Sequence, residues 1–244
     1  MKFRDASKVY ILNKKTYTNL RWIAYAGQLA TILLVQFIFE FKFNYLPCIF
    51  IILISVLTNI YLLFKIKQNH LDNKNSTIFL SFDILQLASL FYFTGGITNP
   101  FIFLIIIPAV FSSQHLKIKS SMILVLFTTL FVAILSFIFY DLPSKNELHF
   151  HTPVYYLYSI PVAIIIGLIF LVYFGVKFGE ESRVREEAYN KIQEMMAKEN
   201  ELVSLGGQAA AAAHSLGTPL STILLTAKEL KKEFGKDNKI KNDL

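Results

Sequence analysis

The chain has 244 residues, of which 54% are hydrophobic and only 17% are charged, whereas soluble domains average about 25% charged residues. This composition, with 23 phenylalanines, indicates a membrane protein rather than a soluble domain. The net charge of +7 does not indicate nucleic-acid binding, because residues 1–176 carry 13 Lys/Arg against 6 Asp/Glu (13 − 6 = +7) and residues 177–244 carry 11 against 11. No basic stripe with interleaved aromatic residues is left for nucleic acid.

Five apolar segments come close to the roughly 20 residues that a helix needs to cross a bilayer. They are residues 22–39, 46–64, 77–93, 122–140 and 155–176. A sixth apolar segment, residues 101–113, is shorter and fits either a tilted span or a re-entrant piece. We expect an all-α membrane protein.

Loop charges favour six spans with both termini in the cytoplasm. If segment 101–113 crosses, the inner side carries eleven positive residues: Lys2, Arg4, Lys8, Lys14, Lys15, Arg21, Lys65, Lys67, Lys74, Lys117 and Lys119. The outer loops carry only two, Lys42 and Lys145. This asymmetry agrees with the positive-inside rule. A five-span arrangement is the alternative, and it would leave the last two of the eleven residues outside.

Beyond residue 176 the sequence becomes charged, with apolar residues at helical spacing. Every seventh position is apolar at Ala188, Met195, Leu202 and Ala209. This pattern predicts a short parallel coiled coil between two copies of the chain, although an ordinary surface helix has the same appearance. The predicted organisation is a tail (1–21), a six-helix sensor domain (22–176), a coiled-coil linker (177–205) and a final helical segment (206–244).

Segment 77–93 contains two polar side chains one helical turn apart, Asp83 and Gln86. An acidic group inside a span costs roughly 2.5–3.5 kcal/mol at the helix centre, so such groups usually face the bundle interior and have a function. The pair is therefore a candidate intramembrane polar site. The alternative is that Asp83 reaches toward the headgroups and Lys74.

The stretch TGGITNPF, residues 94–101, joins two apolar segments. Gly95 and Gly96 are expected to end one helix, while Asn99 and Pro100 suit the N-cap and first position of the next. A plain turn explains these residues. Hydrogen-bonding side chains between aromatic ones, however, also suit a flat apolar ligand with carbonyl ends, such as a quinone.

Two sets of histidines are candidate sites. His149 and His151 have a spacing that can bind a metal, but no third ligand accompanies them, so we expect no metal. His214 follows five alanines, and Pro219 beyond it should bend the helix. Thr218 shares its helical face. A partly neutral, accessible imidazole is a good nucleophile near neutral pH, although a surface histidine beside a helix defect is the simpler interpretation.

Two motifs considered together decide between these interpretations. GGITNPF and HSLGTPL lie over a hundred residues apart. In this order they resemble the RegB/PrrB-type redox-sensing histidine kinases. Those proteins have six spans, a Gly-Gly-x-x-Asn-Pro-Phe segment between spans three and four, and a His-x-Leu-Gly-Thr-Pro-Leu phosphoacceptor box. The resemblance covers nearly the whole chain.

The resemblance implies that His214 is phosphorylated and passes the phosphoryl group to an Asp of a cytoplasmic response regulator. Thr218 would position water when the reaction runs as a phosphatase. The ubiquinone-sensing segment would comprise Gly95, Gly96, Asn99, Pro100 and Phe101. The resemblance also implies a homodimer in the bacterial inner membrane, multi-pass, with residues 206–244 as the first helix of a dimerisation and histidine-phosphotransfer domain.

The sequence departs from the family in three ways. Ser215 stands where the family has an acidic base, and a hydroxyl is a poor proton acceptor at neutral pH. No cysteine follows Cys48, so the family's thiol switch is not carried over. We expect ATP and Mg²⁺ to bind to a domain absent from this sequence, and this chain alone to be inactive.

Two other functions are compatible with the sequence. The first is a quinone-sensing membrane module without catalysis, which Ser215 favours. The second is a small transporter that uses Asp83, Gln86 and Asp141, although no two-fold internal repeat supports it.

Overall fold

The computed structural model describes residues 12–65, 69–145 and 152–234. The tail residues 1–11, the pair His149 and His151, and residues 235–244 lie outside the described part of the chain. The predictions that concern them have no structural outcome.

The described residues are almost entirely helical, which confirms the all-α prediction. The α-helices are α1 (Lys14–Leu33), α2 (Tyr45–Lys65), α3 (Asn73–Phe93), α4 (Ile107–His115), α5 (Ile118–Phe137) and α6 (Val154–Phe234). A π-helical turn, Leu34–Ile38, extends α1, and 3₁₀ turns occupy Gly96–Thr98 and Ile102–Ile106. Two short strands, β1 (Leu12–Asn13) and β2 (His70–Leu71), pair antiparallel with Leu12 opposite Leu71.

Five helices among the described residues are long and apolar enough to cross a membrane. They are Lys14–Ile38, Tyr45–Lys65, Asn73–Phe93, Ile118–Phe137 and Val154–Glu233. Their outer faces carry large exposed apolar side chains, such as Phe50, Leu126, Phe137 and Phe170. Contact of such a surface with water is unfavourable, whereas its contact with lipid is favourable.

The short apolar segment Ile102–His115 connects opposite ends of α3. It begins beyond Thr94, which follows the last residue of α3, and it ends near Asn73, where the Lys117 N–H donates to Asn73 Oδ1 at 2.9 Å. Its five 3₁₀ residues and nine α-helical residues rise about 24 Å in total, because a 3₁₀ turn advances further per residue. A six-span arrangement requires segment 102–115 to run from one end of α3 to the other in this way. The number of spans itself stays a prediction.

The bundle has one main core and one smaller core. The main core lies between α3, α5 and segment 102–115, where Ile84, Ile105 and Leu124 are fully buried. Leu168 of α6 also belongs to this core. The smaller core joins α1, α2 and α3 around the buried Cys48.

The chain divides into two units, Met1–Ser182 and Arg183–Leu244. The described part of the second unit belongs to α6, and residues 184–233 are exposed throughout. Lys198 bonds to Glu194 at 2.8 Å, and this hydrogen bond and charge hold the pKa of Glu194 below its usual value. The predicted coiled coil is untested in a single chain, but residues 184–233 are helical without interruption.

Candidate functional site

Two glycines in left-handed conformation form the turn after α3. Gly95 has φ 110° and Gly96 has φ 52°, a region in which glycine carries no steric cost. A Cβ on Gly96 would overlap the Phe139 side chain, and one on Gly95 would overlap Leu142. The glycine pair therefore allows the segment after α5 to lie directly on this turn.

Asn99 holds the turn together with both polar atoms of its side chain. Its Nδ2 donates to the Thr94 carbonyl at 2.8 Å and to Thr94 Oγ1 at 2.9 Å, while Oδ1 accepts the Phe101 N–H at 2.8 Å. The predicted role of Asn99 as a helix cap is confirmed, because its backbone is extended (φ −67°, ψ 125°), its Oδ1 accepts the Phe101 N–H and its carbonyl accepts the Ile102 N–H at 3.0 Å. The Nδ2 bonds to Thr94 also tie this cap back to the residue that follows α3.

Asp83 forms a buried ion pair with Arg21. Arg21 Nη2 lies 2.9 Å from Asp83 Oδ1, and the two side chains are 4% and 13% exposed. The Tyr17 hydroxyl donates to Asp83 Oδ2, and Arg21 Nη2 also donates to Thr58 Oγ1 at 2.9 Å. Asp83 lies near the middle of α3, away from Lys74 at its start. Its ion-pair partner is Arg21.

Helical spacing on α1 explains how this cluster forms. Tyr17, Arg21 and Tyr25 follow one another at intervals of four residues, so their side chains share one face of the helix. The guanidinium lies 5.4 Å from the Tyr17 ring centroid and 5.5 Å from that of Tyr25. A cation over aromatic faces is favourable where water is excluded. The arrangement stabilises a charge inside the bundle.

The second predicted polar residue, Gln86, also faces α1. Its Nε2 donates to Gln28 Oε1 at 2.9 Å. Asp83 and Gln86 therefore both bond to α1 from neighbouring turns of α3. Polar pairs of this kind hold helices together where no water can replace the hydrogen bond.

A cavity of about 760 Å³ lies among α1, α3 and segment 102–115. Its lining includes Asp83 and Gln86 at one end, and Asn99, Pro100 and Phe101 at the other. Gly95 and Gly96 do not line it, and they shape the adjoining turn instead. The structure thus places the two groups of predicted site residues on the wall of one largely apolar space, which is large enough for a small-molecule ligand.

The second unit presents His214 on an exposed helical surface. Thr218 Oγ1 bonds to the His214 carbonyl at 3.5 Å, one helical turn away on the same face. Ser215 Oγ donates to the Ala212 carbonyl at 3.0 Å, so its proton is directed at the backbone. The helix α6 continues past Pro219. An exposed imidazole on such a surface is open to a large partner.

Comparison with known proteins links both regions to one family. A "Sensor histidine kinase RegB" of Cereibacter sphaeroides is 33% identical over 233 residues, which is 94% of this chain and 50% of the relative. A second RegB sequence of the same species is 32% identical over 230 residues. The predicted resemblance to RegB-type sensor histidine kinases is confirmed. The chain spans about half the length of the curated relatives that it matches.

No family model matches this chain, and no solved structure matches it. The similarity to RegB therefore rests on whole sequences. Because the match covers 94% of the chain, it necessarily includes parts of both the helical bundle and the second unit.

Arg21 is the residue of the buried polar cluster that the sequence did not reveal. It was counted among the inner loop charges, because it precedes the first long apolar run. The structure places it inside the bundle, since α1 begins at Lys14. Two features of the sequence could have indicated it. Tyr17, Arg21 and Tyr25 are spaced four residues apart, and a carboxylate buried at Asp83 requires a cation beside it.

Proposed function

We propose that this chain is the membrane sensor and phosphoacceptor part of a redox-responsive sensor histidine kinase. The observation that carries the proposal is the 33% identity to RegB over 94% of the chain. The match extends from the helical bundle into the helix that bears His214. In the whole protein, the bundle would sense ubiquinone and His214 would receive phosphate.

His214 is suited to be the phosphoacceptor. A neutral ring nitrogen would attack the γ-phosphorus of ATP, so that a nitrogen–phosphorus bond forms, the bond to the ADP oxygen breaks and the imidazole proton leaves. Exposure of the ring supports this role, because a nucleotide-binding domain and a response regulator must both reach it. The phosphoryl group would then pass to an aspartate of the regulator.

The apolar side chains around His214 support a homodimer. Leu216, Leu220 and Ile223 are 61%, 68% and 68% exposed. Met195 and Leu202, on the seven-residue seam, are 70% and 69% exposed. A second copy of the same helix would cover these side chains with identical residues.

The cavity in the bundle supports quinone sensing. Its size and apolar wall suit a flat ring with an aliphatic tail, and it reaches the Asn99 turn. A ligand changes the kinase only if it binds two arrangements of the bundle unequally. Segment 102–115 supplies part of the cavity wall, and its Ser113 lies so close to Gly175 of α6 that a Cβ there would overlap Ser113 Oγ. A displacement of segment 102–115 would therefore also displace α6.

The reaction is tested with the whole protein in lipid, by following phosphate from labelled ATP onto the protein. His214→Gln should abolish labelling, whereas His70→Gln, at another exposed histidine, should leave it unchanged. Addition of a short-chain ubiquinone should change the labelling rate. Labelling that survives in His214→Gln would refute the phosphoacceptor role.

A non-catalytic quinone-sensing module is the second candidate, and Ser215 favours it. The Ser215 hydroxyl donates to a backbone carbonyl and cannot take up the imidazole proton usefully at neutral pH. Ser215→Glu separates the candidates. A rise in labelling above a measurable basal rate supports the kinase, and absence of labelling in both proteins supports the non-catalytic module.

A further inference from the structure

The two ends of the bundle differ in charge. Among the described residues of segment 12–145, the end at which α1, α3 and α5 begin carries six lysines and one carboxylate, Asp72 (6 − 1 = +5). The opposite end is neutral, with two lysines and two carboxylates: Lys42, Lys145, Glu40 and Asp141. Arg21 and Asp83 lie inside the bundle and neutralise each other. An anion is therefore attracted to one end of the bundle and not to the other.

Hydrogen bonds connect the loops of the positive end. Lys14 N–H donates to the Asn69 carbonyl and Lys14 Nζ to the Leu63 carbonyl, both at 3.0 Å. These bonds join the start of α1 to the end of α2 and to the loop before α3. Asn73 Oδ1 accepts the Lys117 N–H at 2.9 Å and so joins the starts of α3 and α5. The lysines of this end therefore belong to one connected surface.

Five of the six lysines have exposed side chains and no ion-pair partner within the described part of the chain. We call them the basic rim: Lys15, Lys65, Lys74, Lys117 and Lys119. Other exposed lysines of the first unit are paired. Lys145 lies 3.0 Å from Glu40, and Lys177 of α6 lies 3.5 Å from Glu180. The charge of the basic rim is thus left for an anion from outside the described chain.

Exposed apolar side chains adjoin the basic rim. Phe64, which is 82% exposed, directly precedes one rim lysine, and Ile118, which is 45% exposed, lies between two others. Ile78, one helical turn after a fourth, is 57% exposed. A phospholipid matches both parts of this surface, because its phosphate meets the ammonium groups while its acyl chains cover the apolar side chains. A free phosphate or a nucleotide matches the lysines alone.

We propose that the basic rim binds the phosphate of an anionic phospholipid, with the acyl chains on the adjoining apolar faces. A zwitterionic phospholipid is attracted less, because its own ammonium group offsets its phosphate. Each lysine near an anionic membrane surface strengthens association by roughly a factor of five. The proposal depends neither on quinone sensing nor on phosphate transfer to His214, so its failure would leave both in place.

The single tryptophan of the chain is a natural reporter for the test. Trp22 is 38% exposed and lies seven residues after Lys15, on the same helical face and about 10 Å further along α1. The chain is placed in phosphatidylcholine vesicles, and part of the lipid is replaced by phosphatidylglycerol or phosphatidylcholine with brominated acyl chains, which quench tryptophan fluorescence on contact.

We expect brominated phosphatidylglycerol to reach half-maximal quenching of Trp22 at an about fivefold lower mole fraction than brominated phosphatidylcholine at low salt. In 1 M salt the preference should fall below twofold, because ions screen exposed charges. Lys15→Gln should remove most of the preference. Lys42→Gln, at the neutral end of the bundle, is the matched control and should leave it unchanged.

A second pair of reporters compares the two ends of α5. In a Trp22→Phe background, Met122→Trp places a tryptophan three residues after Lys119, whereas Phe137→Trp places one at the opposite end. Both native side chains are exposed, by 66% and 79%, so each site accepts a large side chain. We expect the preference for phosphatidylglycerol at position 122 and none at position 137.

Three results would overturn the proposal. Equal quenching by the two lipids at Trp22 and at position 122 would show that the rim does not select anionic lipid. An equal preference at position 137 would show that the effect does not come from the rim. Loss of the preference on addition of glycerol 3-phosphate would show that the rim takes a free phosphate. The measurement at Trp22 needs no substitution, so a folding defect in a variant leaves it decisive.

Discussion

The membrane bundle and the second unit use the same kinds of apolar residue in opposite ways. Leu80 and Ile84 of the bundle are 2% and 0% exposed, whereas Leu202 and Ile223 of the second unit are 69% and 68% exposed. The bundle buries its core within one chain. The second unit leaves its apolar seam exposed in the single chain. This difference in burial is the reason that the proposed homodimer is placed at the second unit and not at the bundle core.

Polar groups show the same contrast. The bundle encloses Arg21 and Asp83 and gives each a partner, because an isolated charge there is very costly. The second unit leaves His214 in solvent. For the proposed ligand sensor, an enclosed site is an advantage, because a single hydrogen bond contributes more to binding where water is excluded. A phosphoacceptor needs access for large partners.

The largest expected effect comes from breaking the buried ion pair. Asp83→Leu leaves the Arg21 guanidinium buried and uncompensated, and we expect a loss of about 3–5 kcal/mol in the free energy of unfolding. Denaturant titration in mixed micelles, followed by helical circular dichroism, measures it. The double variant Arg21→Leu/Asp83→Leu should recover a large part of the loss. Additive losses would show that the two side chains act independently.

A second, smaller effect is expected at the turn that closes the bundle. Gly96→Ala forces an alanine to φ 52° and into the Phe139 side chain, which should cost about 2–4 kcal/mol in the free energy of unfolding. Gly167→Ala is the matched control, because nothing lies within 4 Å of a Cβ there. It should leave stability unchanged or raise it by up to about 1 kcal/mol. Equal effects at both glycines would contradict the observed packing of the turn.

Much of the fold was predictable because long apolar runs have few alternatives in a bilayer. Segment 46–64 corresponds closely to α2 (Tyr45–Lys65). Its residues alone satisfy the length and hydropathy that a span requires. The same holds for segment 122–140 and α5. Here local sequence decides the structure.

The site was less predictable because it depends on contacts between distant residues. Arg21 has the appearance of a loop charge until Asp83, 62 positions later in the chain, is placed beside it. Asn99 followed by Pro100 has the pattern of a helix start, and the structure confirms it, but that pattern does not predict the bonds of Asn99 Nδ2 to Thr94. The cavity exists only after α1 packs against α3 and segment 102–115. No sequence window contains that information.

The third prediction concerns the second unit. Leu202→Asn should weaken self-association of the chain in nanodiscs or detergent, because each buried leucine contributes about 1.5–3 kcal/mol. Because both copies in the dimer lose this leucine, the change corresponds to a shift of about two to four orders of magnitude in the dimer dissociation constant, measurable by analytical ultracentrifugation. Val203→Asn is the control, since Val203 is 70% exposed in the single chain but lies off the seven-residue seam. Similar shifts in both variants would refute the predicted coiled-coil register.

The smallest effect is expected at an ion pair on the bundle surface. Lys145 Nζ lies 3.0 Å from Glu40 Oε2, but the two side chains are 61% and 69% exposed. Water and salt screen this attraction, so Glu40→Gln should change the free energy of unfolding by less than about 1 kcal/mol, and by still less in 1 M salt. Asp83→Leu, measured in the same micelles, should keep its full effect in salt, since ions do not reach the buried pair. A Glu40→Gln effect as large as that of Asp83→Leu would mean that exposure does not govern the strength of these two pairs, and the proposed contrast between enclosed and solvated charge would fail with it.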